Sequence, residues 1–177
     1  MSTIKFRFAA EKALNVVTWM LNQEQPLDLH TVLKACYFAD KESLKRHGLP
    51  VFGASYRAMT YGPVPLEIYE MLKGEPMWLA ELSVDSYPWQ LHRYFLSLTA
   101  NEPVDLDSLL EDEADIVRDA LALSKSLTFD KRTAQTHGPD WQKAKLGMMN
   151  YEDMIDDVPH REEIIEELQE TSNFVRL

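Results

Sequence analysis

A chain of 177 residues with 45% apolar side chains can bury one substantial hydrophobic core, and it has the usual length of a single domain. Its formal net charge of -11, from 29 acidic and 18 basic residues, disfavours binding to nucleic acid or to an anionic membrane surface. Charged residues interrupt every apolar run, including the first, which disfavours a membrane span and a signal peptide. We therefore expect one domain, residues 1–177, in the cytoplasm, where the single cysteine, Cys36, remains a buried thiol.

The first part of the chain predicts two amphipathic helices. Apolar residues recur at helical spacing from Phe6 to Leu21, and Pro26 ends this first helix. Asp28 is placed to cap the second helix, and Gly48 is placed to end it. We expect the two helices to pack against each other through their apolar faces.

A proline-rich segment, Gly62–Pro65, follows a short stretch that favours a β-strand around Tyr56. The glycine allows the chain to turn, and the proline after it disfavours the right-handed helical region for Gly62. Pro65 suits the first position of a helix, because its missing N–H would have no partner there. The segment is therefore interpreted as a rigid turn that leads into a helix bearing Tyr69.

The rest of the chain predicts one small sheet and more helices. Alternating apolar residues between Tyr94 and Leu98 predict a strand, either in a hairpin or in a three-stranded sheet with the Tyr56 region. Ser108 and Glu111 have the spacing of a capping box before a long helix, Asp140 is placed to cap a short one, and a last helix is expected over residues 160–174. The predicted fold class is mainly α (α+β), a compact helical domain with a small antiparallel sheet or hairpin.

Catalytic and metal-binding patterns are weak in this sequence. On a helix, His30 and Cys36 are six positions apart and point away from each other, so they form no local nucleophile–base pair. The pair His160 and Glu163 lacks a second pair of ligands, and the acidic residues of the stretch 111–119 are typical of a solvated helix start. We therefore predict no catalytic residue, no metal site, no cofactor and no enzymatic activity.

The proline-rich segment is the best candidate for a binding surface. A rigid loop that carries Tyr61 and Tyr69 would lose little conformational entropy when it binds a partner. The alternative is that Gly62–Pro65 only joins a strand to a helix and that both tyrosines belong to the core.

Two groups of residues resemble a known family. The first group consists of Leu33, Tyr37, Leu44, Gly48, Tyr61–Val64 and Tyr69. The second consists of Thr136, His137, Trp141 and Ala144. In this order and spacing they resemble the Panacea, or SocA-like, antitoxin domain, a prophage-associated type, over about residues 29–144.

The resemblance implies a mainly helical antitoxin of a toxin–antitoxin system. Its partner would be a cognate protein toxin encoded by a neighbouring gene, and a second implied role is that of an adaptor that delivers the toxin to a protease. The predicted partner-binding residues are Tyr61, Gly62, Pro63, Val64, Pro65, Tyr69, His137 and Trp141. The negative net charge is compatible with a basic toxin.

One alternative is a hydrolase-like or nuclease-like enzyme. In it, His137 would perform acid–base chemistry with His30 or Asp140, in a pocket beside Tyr61.

The other alternative is a DNA-binding autoregulator. Lys34, Lys41, Lys45 and Arg46 fall close together on the second helix, but the acidic residues among them oppose a phosphate-binding surface.

Overall fold

The computed structural model describes residues 3–177, most of whose regular structure is helical. The helices are α1 (Ala10–Gln23), α2 (Leu29–His47), α3 (Leu66–Leu72), α4 (Leu79–Leu82), α5 (Glu111–Ser126), α6 (Phe129–Thr136), α7 (Pro139–Ala144), α8 (Tyr151–Met154) and α9 (Arg161–Thr171), with a 3-10 turn at Pro76–Trp78. The strands are β1 (Leu27–Asp28), β2 (Tyr56–Met59), β3 (Gly62–Pro65), β4 (Trp89–His92) and β5 (Phe95–Leu98). The predicted class, a mainly helical α+β fold with small antiparallel sheets, is confirmed.

The strands form two separate antiparallel sheets. One has the order β1-β5-β4, which confirms the predicted hairpin before Leu98, and the other is the hairpin β2-β3. The predicted pairing of the Tyr56 strand with this hairpin is wrong, because Tyr56 pairs with Pro65 instead. Gly62–Pro65 is thus a strand, and the turn lies just before it, at Thr60 and Tyr61.

The register of the β2-β3 hairpin explains how a strand can contain two prolines. Pro63 and Pro65 lie opposite Ala58 and Tyr56. The N–H of Ala58 donates to the carbonyl of Gly147, and the carbonyl of Tyr56 accepts from the N–H of Met149. Both residues therefore direct these backbone groups away from β3, to the other edge of β2. The prolines therefore occupy positions at which the sheet needs no N–H donor from β3.

The start of the chain is extended where helical spacing predicted a helix. Ile4, Phe6 and Phe8 are buried, the residues between them are exposed, and α1 begins only at Ala10. This period of two is typical of an extended segment with one buried face. A hydrogen bond of 2.9 Å from the N–H of Ala9 to the carbonyl of Phe52 attaches the segment to the rest of the fold.

The helix ends agree with the prediction at α2. Its first turn is capped by Asp28, whose carboxylate accepts from the N–H of Thr31, and it ends at Gly48 in the left-handed conformation. α1 ends at Gln23, close to the end predicted from Pro26.

Three other caps differ from the prediction. The capping box is wrong, because Leu110 precedes α5 and provides no side-chain cap. Pro65 remains in the strand conformation, so α3 begins one residue later. Gly138 precedes α7, and Pro139 takes its first position, so Asp140 lies inside the helix. Prolines and glycines, whose backbone preferences are strong, set the ends of α3 and α7.

α2 lies at the centre of the hydrophobic core. It packs against α5 and β3, and most of its length is buried. Near its end, the fully buried carboxylate of Asp40 accepts hydrogen bonds from the N–H groups of Val51 and Phe52 and from the hydroxyl of Tyr56. These bonds attach the chain that enters β2 to the central helix. Among residues 3–177, no helix is both long enough and apolar enough to cross a membrane.

Candidate functional site

Two helices, α2 and α7, meet at the β2-β3 hairpin. From α2, the Nζ of Lys34 donates to the carbonyl of Pro63 at 2.8 Å. From α7, the indole Nε1 of Trp141 donates to the carbonyl of Met59 at 2.8 Å. A short hydrogen bond between Tyr37 and Asp140 joins α2 to α7 directly. The hairpin is therefore held from two sides by side chains that donate to its backbone.

Gly62 permits this close packing. Its φ of +112° is unfavourable for residues with a side chain. A Cβ at this position would lie 2.5 Å from Oγ1 of Thr136 and 2.8 Å from Cε of Lys34. Only glycine fits here without a shift of the Thr136 and Lys34 side chains.

The predicted partner-binding residues of the hairpin differ in their exposure. Tyr61 lies at the tip and is 59% exposed, so it is not a core aromatic. Gly62–Pro65 is buried, and Tyr69 is half-buried. A partner that approaches the free protein here would therefore meet Tyr61 first.

Tyr61 forms part of the wall of an open pocket with a volume of about 760 Å³. The lining residues come from α2, the β2-β3 hairpin, α3, α6 and the turn between β4 and β5, with Asp28 of β1 beside the start of α2. Three exposed aromatic residues line it, Tyr61, Tyr94 and Phe129, and we call them the aromatic rim. The rings of Tyr61 and Phe129 meet edge to face, with their centroids 5.2 Å apart.

Lys34 lines the same pocket, although its side chain is almost fully buried, with 1% of the residue exposed. Its only hydrogen bond within residues 3–177 is the one to Pro63. Burial, together with the nearby charge of Arg132, lowers the pKa of Lys34 to about 7. An ammonium group here lacks most of the hydrogen bonds that it would have in water.

Arg132, from α6, is the second buried cation of the pocket. Its guanidinium donates to the carbonyls of Ser124 and Leu127, at 2.8 and 2.7 Å. A third bond, of 3.0 Å, joins Nη1 to Nδ1 of His30. The nearest carboxylate oxygen, that of Asp28, lies 4.0 Å from Nη1, which is beyond hydrogen-bonding distance. We call Lys34 and Arg132 the cationic floor.

His30 connects the cationic floor to the hairpin tip. Since Arg132 can only donate, Nδ1 of His30 accepts, and Nε2 therefore carries the proton and donates to the carbonyl of Tyr61 at 3.1 Å. Burial and the charge of Lys34 lower the pKa of His30 to about 4, so the imidazole is neutral at pH 7. Its ring lies 4.2 Å from that of Phe129. Oγ1 of Thr133 also lies 3.2 Å from Nε2, so a neutral His30, with hydrogen bonds at both ring nitrogens, positions Tyr61 and Phe129.

Comparison with known families identifies the fold. The family described as "Antitoxin SocA-like, Panacea domain" matches residues 32–142, well over half of the chain. The chain belongs to this family. No curated protein and no solved structure matches the chain. The matched range contains the β2-β3 hairpin and most of α2 and α7, so the packing around the hairpin lies within the Panacea domain.

The other two predicted residues, His137 and Trp141, do not line the pocket. The rings of His137 and Trp141 are stacked, with centroids 3.6 Å apart and planes 8° apart. The Nε2 of His137 is buried without a hydrogen-bond partner in residues 3–177, and burial lowers its pKa. Within the Panacea domain this stacked pair supports the hairpin, whereas His30 and Asp140 are each engaged with other side chains.

Three of the four basic residues of α2 that the DNA-binding alternative needs are buried or paired, and Lys45 alone of the four is exposed without a carboxylate partner in the described residues. Lys34 is buried, the Nζ of Lys41 is 2.9 Å from Asp156, and Arg46 is paired with Glu42 at 2.7 Å. Among the described residues, no group of three or more His, Cys, Asp or Glu side chains could hold a metal ion.

Sequence reasoning placed a pocket beside Tyr61 only in the enzyme alternative, and it missed most of the lining. It identified Tyr61 but not Tyr94, Phe129 or Arg132, which come from distant parts of the chain. One signal was available: Lys34 stands in the middle of an apolar helical run, at a position where a lysine is rarely found unless its amine has a partner.

Proposed function

We propose that this chain is an antitoxin that binds and neutralises a cognate protein toxin encoded by a neighbouring gene. The proposal places it in the cytoplasm, as a binding protein and not an enzyme. Membership of the SocA-like antitoxin family supports it. The observation that carries the proposal at the level of residues is the aromatic rim around Tyr61, which is exposed and held in place.

The rim has the chemistry of an interaction surface. Aromatic side chains are enriched at protein interfaces, where they often contribute most of the binding energy. Tyr61, Tyr94 and Phe129 are 59%, 73% and 45% exposed, and all three border one concave site. Side chains on such a surface would be covered when a toxin docks, and this burial provides a driving force for binding.

The rim is also ordered before any partner arrives. His30 holds the carbonyl of Tyr61, and Trp141 holds the carbonyl of Met59, so both sides of the hairpin tip are fixed. Little conformational entropy then remains to be lost on binding. Long-range attraction would come from the net charge of -11, which favours a basic toxin.

Co-production with the product of the neighbouring gene tests this function. We expect that protein to arrest growth alone and to be harmless when this chain is present. Tyr61→Ala should weaken the complex by about tenfold or more, as removal of an exposed aromatic anchor does. The matched control is Phe174→Ala, which removes an aromatic side chain that is 84% exposed and lies outside the rim. It should leave neutralisation unchanged.

A second control separates binding from folding. Val117 is fully buried, so Val117→Ala should lower the free energy of unfolding by about 1–3 kcal/mol and reduce neutralisation only through loss of folded protein. If Tyr61→Ala instead unfolds the protein as Val117→Ala does, and binds normally once folded, the hairpin tip is a structural element and not an interface. A neighbouring protein that is harmless alone, or equally toxic with this chain, contradicts the antitoxin function itself.

The adaptor role belongs to the same proposal and has its own test. If this chain delivers its toxin to a protease, the toxin should have a shorter half-life in cells that contain the chain than in cells that lack it. A toxin whose half-life is unchanged or longer in the complex is neutralised by sequestration alone.

A further inference from the structure

The cationic floor and the aromatic rim belong to one pocket, and together they define a ligand. We propose that this pocket binds an organic carboxylate: a carboxylate group, held by Lys34 and Arg132, on an apolar or aromatic body that lies against the rim. The carboxylate can come from a polypeptide partner or from a free small molecule. The proposal does not depend on antitoxin activity.

Lys34 provides the first argument, which is one of unfilled hydrogen bonds. An ammonium group has three N–H donors, and within residues 3–177 only one of them is used, at the carbonyl of Pro63. In this conformation the residue is 1% exposed and packs against Gly62, so water supplies few of the missing hydrogen bonds. Burial favours the neutral amine, and a carboxylate in the pocket would stabilise the charged form and supply the acceptors that are missing.

Arg132 provides the second argument. Its three hydrogen bonds leave two of the five guanidinium N–H donors without a partner in the described part of the chain. The carboxylate of Asp28 accepts from the N–H and the hydroxyl of Thr31, at 2.9 and 2.6 Å, and at 4.0 Å from Nη1 it offsets part of the charge of Arg132 without a hydrogen bond to it. A charge-assisted bond to a bound carboxylate is the strongest use for the remaining donors.

The shape of the pocket selects the rest of the ligand. Its volume of about 760 Å³ is far more than a small inorganic anion needs, and it falls in the range typical of small-molecule sites. The rim offers aromatic faces and edges, against which an apolar or aromatic group can pack. A nucleic acid is disfavoured as the source of the anion, because the chain as a whole carries a charge of -11.

A pair of matched probes tests the proposal on the unmodified protein. 3-Phenylpropionate carries the proposed carboxylate, and 3-phenylpropionamide has the same shape without the charge. Each is titrated into isotope-labelled full chain, and backbone amide shifts report the site and the affinity. With the carboxylate we expect saturable shifts around Tyr61 and Lys34. The amide should bind at least about tenfold more weakly.

Lys34→Met removes the charge and keeps most of the volume of the side chain. It should lower the affinity for 3-phenylpropionate by about tenfold and leave the affinity for the amide unchanged. Lys45→Met is the matched control, since it removes an exposed lysine from the same helix, about 16 Å further along. If Lys34→Met does not fold, the comparison of the two probes on the unmodified protein still decides the question.

The protein toxin separates the two sources of the carboxylate. If the toxin supplies it, 3-phenylpropionate should compete with the toxin, and Lys34→Met should weaken the complex. If a free small molecule supplies it, Lys34→Met should have a lower affinity for 3-phenylpropionate and bind the toxin normally. The proposal is overturned if the two probes bind with equal affinity, if neither shifts the pocket residues, or if Lys34→Met binds the carboxylate as well as the unmodified chain does.

Discussion

The buried amine of Lys34 should make the stability of this protein depend on pH in the alkaline range. Its pKa is about 7 in the folded protein and 10.5 in the unfolded chain. Between these two values the unfolded chain binds more protons than the folded protein, so the free energy of unfolding rises as the pH rises. From about pH 7 to about pH 9.5, this single group should add about 3 kcal/mol to the free energy of unfolding.

Urea unfolding of the unmodified protein and of Lys34→Met measures this contribution. Many groups titrate above pH 7, but they are common to both proteins and cancel in the difference between the two free energies. That difference should shift in favour of the unmodified protein by about 2–3 kcal/mol between the two pH values. For Lys45→Met, whose lysine is exposed, the same difference should stay constant. A constant difference for Lys34→Met as well would refute the depressed pKa and the burial on which it depends.

Three further substitutions test how the hairpin and the core are held, each by urea unfolding at neutral pH. Gly62→Ala should lower the free energy of unfolding by at least about 2 kcal/mol, because the new Cβ meets Thr136 and the φ is unfavourable. A smaller loss would mean that Thr136 shifts easily. Asp40→Ala should cost about 3 kcal/mol or more, since it leaves two buried N–H groups without an acceptor, and a loss below 1 kcal/mol would contradict this. Trp141→Phe should cost about 1 kcal/mol through the lost hydrogen bond to Met59; an unchanged midpoint would show that water replaces the indole.

Local patterns in the sequence determined the parts of this fold that depend on local physics. Asp28 and Gly48 mark the ends of α2 because a side-chain acceptor and a left-handed glycine act on the nearest turn. The alternation before Leu98 identified a strand of the hairpin, and the ordered motifs of residues 32–142 identified the family. Each of these signals is complete within a short stretch of chain.

Other elements were decided by neighbours that are distant in the sequence. Gly62–Pro65 has the composition of a turn, yet it is a strand, because β2 uses the backbone groups opposite Pro63 and Pro65 on its other edge. The extended start of the chain depends in the same way on its contact with Phe52. Local preference favoured the wrong structure at both places, and tertiary hydrogen bonds overrode it.

The pocket, too, exists only in the tertiary structure. Lys34 and Arg132 are almost a hundred positions apart, and nothing in the spacing of either residue along the chain indicates the other. The sequence shows that a lysine stands within an apolar stretch of α2, between Leu33 and Ala35. Only the packing of α6 and the hairpin against α2 buries that amine, places a second cation beside it and surrounds both with aromatic side chains, because charge and burial are properties of neighbours in space.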